Sequence, residues 1–501
     1  MRSIVQKAKL AKLAITLGVC LGIQNALPVI SQEKQVTSKS STSKNSKGIA
    51  LTIYNQNFGL VKDVREVELD KGINFLRFAD VAAAIDPTTV NFLSLTAPNS
   101  VVVREQNYQY DVMDRDTILN KLVGETITLK RYTNSGGTVE TTGELLNPPI
   151  VTIVDTNGNP RTKHSGIVLK TSEGIVVSPG GELNISKLPA DLVPKPALLW
   201  KLEATRGGVH DTEISYQTKG IKWRCDYVAV ANADDTKADL TSWVTIDNKT
   251  GTSYKNAALK LLAGDVHRVT PSAPRHRSYM MKTAMAESAM ANQFSEKTFA
   301  EYHLYSLAGT TNVNNNETKQ MSLFNANGVP TKKLYIFEPQ GSNRGVYGGQ
   351  NNQKKVNVKL EIDNTQKNNL GMALPKGKVR VYKKDSDGAL QFVGEDQIDH
   401  TPRDEKVRLY IGDAFDLVGE RKQLAMTRPS KRVTRASFQI SLRNHKDEDV
   451  EITAIEHAYG DWKIKSSSHK YKKTSSTKFE FTVKVPKRGE TLIDYEIETR
   501  Y

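Results

Sequence analysis

Two short stretches carry the residues best suited to chemistry. In AGDVHR, Asp265 and His267 stand two apart, which on a strand places both on one face, as an acid–base pair requires. In GIKWRCDYV, Asp226 follows an aromatic and a thiol. If the chain is an enzyme, Asp226, Asp265 and His267 are the first candidates, because glycosidase-type hydrolysis needs two carboxyl groups brought together from separate elements. The competing reading makes them cross-strand ion pairs or surface residues. A third set, Lys470, Lys472 and Lys473, could attract a polyanion or belong to a solvated strand face.

Other chemistries lack their signatures. No phosphate-binding loop, dinucleotide fingerprint, zincin motif or nucleophile elbow occurs, and none of the nine His has another His four residues away. No metal or other cofactor is therefore expected. DSDG at 385–388 and DTNG at 155–158 resemble pieces of calcium loops but lack the rest of the spacing, and read as hairpin turns. The two cysteines allow no disulfide framework, and Cys225 reads as a small buried hydrophobe.

These residues need elements to hold them. The 501 residues, 38% hydrophobic and 25% charged, suggest several globular domains. Arg2, Lys7, Lys9 and Lys12 precede a short apolar stretch, Leu13–Ile23, in the order of a secretory signal peptide, with Ala26 or Ser31 before the cut. Removal of that segment leaves no expected transmembrane span. The net charge of +15 is uneven. Residues 1–47 hold eight Lys/Arg against one acid, and residues 421–501 hold 18 against 11. The middle holds 44 against 43, so nucleic-acid binding is not expected.

The expected fold is mainly β: multi-domain and antiparallel, with a small barrel or roll, β-sandwich-like modules and one or two short helices. The signal peptide covers 1–31 and a Ser/Thr/Lys-rich disordered linker 32–47. An N-terminal β region follows over 48–124, with a short helix near Thr117–Val123. A small β unit spans 125–190, closed by the Pro-rich stretch before 197. The main β domain runs over 197–420, with a Met-rich loop insertion at 271–300, and a sandwich-like module over 421–501. Tyr302 and Tyr305 read as strand packing rather than sugar-stacking surfaces.

Several separated segments, LLWKLEATRGGVHDTEISYQTKGIKWRCDYVA, WVTIDNKTGTSYKNAALKLLAGDV and EYHLYSL, together with the upstream LTIYNQNFGLVKDVREVEL and EQNYQYDV, occur in an order that resembles a bacterial family. It is the one called domain of unknown function 4139, also found in mucoidy inhibitor A-like proteins. The resemblance covers most of 48–501. It implies a secreted, β-rich envelope protein, in the periplasm or at the cell surface, and no catalytic residues. Cys225 departs from it, where a small residue such as Ala is expected. The leading expectation is a non-catalytic protein that binds an envelope protein or glycan. The rival is a hydrolase acting on a surface polysaccharide or peptide.

Overall fold

The computed structural model describes residues 38–133, 136–154, 159–185, 188–189, 192–268, 293–339, 355–385 and 387–500. The expected signal peptide, the hairpin turn expected at 155–158 and most of the Met-rich insertion lie outside them. Among the described residues the chain is mainly β, in several mostly antiparallel sheets with one seven-residue α-helix, Arg115–Lys121. No helix among them is long and apolar enough to cross a membrane.

Strand formation follows the period-2 burial of apolar residues. In Ile221–Ala231, Ile221, Trp223, Cys225, Tyr227, Ala229 and Ala231 point inward, while Lys222, Arg224 and Asp226 face out. The main core joins three sheets: a four-stranded one centred on Gly72–Ala79 and Ala197–Ala204, a seven-stranded one around Ser46–Tyr54 and Phe58–Leu69, and the first half of the largest sheet. Trp200 is its largest fully buried side chain, and its indole N–H donates to Gln106 Oε1 at 2.9 Å. In the largest sheet the path runs Leu390–Ile398, Gly377–Lys384, Ile221–Ala231, Lys237–Asn248, Glu317–Phe337, Lys355–Asp363 and Lys406–Ser430 before entering the C-terminal strands.

Residues 38–47 differ from the expected disordered linker. Lys39–Ser41 forms a parallel strand against Leu76–Phe78. Asp80 accepts the backbone N–H of Ser43, and Lys47 bridges Glu66 and Asp211 at 2.8 and 2.6 Å. Backbone pairing to an already ordered strand supplies what composition lacks.

The small unit hangs between two adjacent strands, since Val101–Gln109 pairs directly with Ala197–Ala204. It is an open five-stranded sheet with a separate two-stranded ribbon, not a closed barrel. The helix packs Leu119 onto this unit's own core of Ile127, Leu129, Leu145 and Leu169.

The C-terminal module is sandwich-like and contains the four expected strands as Val433–Asn444, Val450–His457, Lys478–Val485 and Glu490–Arg500. It borrows Phe337, Val356 and Leu417 from the preceding strands for its core. The 25-residue strand Lys406–Ser430 runs through residue 421 without interruption. At the centre of the module Glu456 is buried, its carboxylate bound by Arg421 Nε at 2.9 Å and by the Tyr495 hydroxyl at 2.8 Å. Burial pushes the Glu456 carboxyl up, and Arg421 opposes that shift.

Candidate binding cleft

The outward face of Ile221–Ala231 forms one wall of a polar cleft of about 630 Å3. Its position depends on a parallel pairing between distant segments: Cys225 stands opposite Gly377 and Asp226 opposite Lys378. The antiparallel neighbour then sets Gln397 beside Lys378. Asn55 and Gln56 come from the turn after Ser46–Tyr54, and His400 from the loop after Leu390–Ile398. Among the described residues no aliphatic side chain lines the cleft, whose floor is Trp223, Cys225 and Gly377.

The floor is rigid. Trp223 Nε1 donates to the Leu262 carbonyl at 3.1 Å, and its ring meets Tyr305 edge-on. The Tyr227 and Tyr305 hydroxyls donate to the carbonyls of Pro375 and Ala373, tying this floor to the chain leading into Gly377. Burial pushes the Cys225 thiol up to about 11, so it stays protonated and unreactive. Ellman's reagent is expected to label Cys225 only after unfolding; rapid labelling of the folded protein would contradict this placement.

Along the wall the charges alternate. Asp247 Oδ2 accepts from Arg224 at 2.8 Å, and Arg224 Nε lies 3.3 Å from Asp226. Arg380 reaches both Asp226 and Glu395 at 3.6 Å, and Lys378 meets Glu395 at 2.8 Å. Asp226 Oδ2 also accepts from Thr245 Oγ1 at 2.8 Å, while its Oδ1 faces Arg380. Asp247 is buried enough to oppose ionisation, yet hydrogen bonds from Thr318 and Arg224 hold its carboxyl below the usual range.

The structure brings Asp226 and Asp265 to the same cleft and leaves His267 outside its lining. The strand that should have aligned Asp265 with His267 ends at Ala263, so the two-residue alternation does not apply. Beyond it, Gln56 pairs with Val266: with its amide nitrogen toward the Val266 carbonyl, it donates at 3.1 Å and accepts the Val266 N–H at 3.2 Å. Gly264 makes the exit possible, with φ of +132° and the Tyr302 ring packed where a Cβ would stand. Tyr305 is buried and Tyr302 half-buried, in strand packing.

The histidine at the cleft is His400. Its Nδ1 accepts the Lys376 backbone N–H at 3.1 Å, so the neutral ring carries its proton on Nε2, and the Asn55 amide 3.2 Å away must turn its oxygen toward the ring to accept it. Burial lowers its pKa, against the pull of Asp265. A base depressed in the folded state loses stability as pH falls below its ordinary value of 6.5, where only the unfolded chain takes up the proton. Thermal stability is therefore expected to decline from about pH 6.5 downward, and H400Q to remove that part of the decline. An identical pH profile for H400Q would refute the assignment.

Sequence reasoning missed His400, Arg224, Lys376, Lys378 and Arg380. The last two had a signal in the alternation of KGKVRV, and His400 had none. The C-terminal lysines lie elsewhere than the cleft lining. Lys472 is 3.8 Å from Glu480, Lys473 stands over the Trp462 ring at 4.3 Å, and Lys470 is exposed. Among the described residues, no three His, Cys, Asp or Glu side chains gather to hold a metal ion. No protein-family model and no curated protein matches this chain.

Proposed function

We propose that this chain is an exported bacterial envelope protein that binds a glycan in the Asp226 cleft without transforming it, and that it belongs with the domain of unknown function 4139 proteins its motifs resemble. The observation that carries the reading is the state of Asp226. A carboxylate whose Oδ2 is taken by Thr245 and Arg224, with Arg380 3.6 Å from Oδ1, is tied into the wall as an ion-paired group rather than presented to a ligand as acid, base or nucleophile. What the wall offers instead is fixed donors and acceptors side by side. A sugar hydroxyl is both donor and acceptor, so rows of vicinal hydroxyls suit such a surface. The amides of Asn55 and Gln397 extend it.

The test is isothermal titration of the purified protein with cell-envelope polysaccharide fractions, with cell fractionation to check export. Saturable binding that falls in D226N and R380Q is expected. Absence of binding to every fraction at low salt would sink the proposal. The hydrolase reading is favoured by one observation, that Asp265 and His400 share the cleft. It requires release of reducing ends from the bound glycan and their loss in D265N.

A further inference from the structure

The charges in the cleft are held with unequal firmness. Lys378 and Arg380 leave one face of their strand about 7 Å apart, Lys376 stands one residue before it, and Arg224 faces them from the parallel neighbour. These four cations line the cavity together with two acids, Asp226 and Asp265. The other acids of the ladder, Asp247, Glu395 and Asp399, do not line it. Three of the four cations are thus paired with acids that stand outside the lining: Arg224 with Asp247, Lys378 with Glu395 and Lys376 with Asp399. Asp226 is 15% exposed and grips both arginines. The partners of the lysines are open to water: Glu395 is 44% exposed, and Asp399, 3.2 Å from Lys376, is 90% exposed. Exposed pairs of that kind are weak and exchange readily for an incoming anion. Arg224 and Arg380 are thus positioned, and Lys376 and Lys378 are available.

Resting on the glycan-binding reading, we propose that the ligand is a carboxylated polysaccharide whose acid groups are taken by Lys376 and Lys378. A lipid headgroup would bring the same negative charge, but a lining without aliphatic side chains offers its acyl chains nothing.

The test compares the full protein's affinity for polygalacturonate, for neutral dextran and for phosphatidylglycerol vesicles, at low and moderate salt. Polygalacturonate is expected to bind at least tenfold tighter than dextran, with affinity falling as salt rises. Loss of a charge-assisted contact weakens binding by roughly tenfold, so K376Q/K378Q should approach the dextran level, and a thermal melt checks that it stays folded. Equal affinity for both polymers, unchanged in the variant, would overturn this inference and leave glycan binding standing. Binding of neither polymer, nor of any envelope fraction, would remove both. Vesicles bound as tightly as polygalacturonate, or loss of binding in K470Q/K472Q/K473Q instead, would also overturn it.

Discussion

Replacing Arg65 by alanine is expected to cost about 3–5 kcal/mol of folding stability, because it strands a buried charge. Arg65 is 1% exposed and lies in the middle of Phe58–Leu69. Its guanidinium donates from Nε to Asp63 at 2.8 Å and from Nη1 to the carbonyls of Ala79 and Ser41 at 2.8 and 3.3 Å. It also stacks 3.6 Å over the Phe78 ring. Asp63 has one further partner, Ser46 Oγ at 2.7 Å. Without Arg65, three acceptors are left in a dry interior, and the N-terminal strand Lys39–Ser41 loses one of its anchors. The double variant D63N/R65M, which removes both charges and keeps most of the volume, is expected to be less damaging than R65A alone. Urea unfolding measures both. An R65A protein within 1 kcal/mol of wild type would refute this account of the buried pair.

The second large effect is expected at Gly377. A Cβ there would collide with the Cys225 carbonyl and come 2.8 Å from the Tyr227 ring. Both obstacles are fixed, one by the parallel ladder and the other by the hydrogen bond to Pro375. G377A is therefore expected to destabilise the protein by about 1–3 kcal/mol and to weaken glycan binding, because Lys376 and Lys378 flank the displaced residue. G48A is the control: nothing lies within 4 Å of its added methyl. Its unfolding midpoint should stay close to wild type. Equal midpoints for G377A and wild type would show that the two strands approach less closely than described.

The two sites also mark how far local pattern reaches. Alternation in GIKWRCDYV was enough to turn Trp223, Cys225 and Tyr227 inward and Arg224 and Asp226 outward, because successive side chains of any strand point to opposite faces. The same rule misled at Asp265 and His267, where the ladder stops at Ala263 and backbone alternation no longer governs direction. Composition misled at 38–47: a polar segment with few apolar residues still forms a strand when another strand offers it hydrogen bonds. Alternation puts Arg65 on the inward face with Val61, Val67 and Leu69, but the carbonyls of Ser41 and Ala79 that satisfy its charge come from other strands and left no local sign.

What the chain's letters determined was therefore the β character, the inward and outward faces of most strands, and the four principal strands of the C-terminal module. Those follow from the residue's own backbone and its nearest neighbours along the chain. The tertiary structure decided that Ile221–Ala231 pairs in parallel with Gly377–Lys384, that Asp226 is thereby held by Arg380, and that His400 closes the cleft. The physical reason is that pairing between strands some 150 residues apart is chosen by the packing of the whole core. No local period in the sequence encodes that choice.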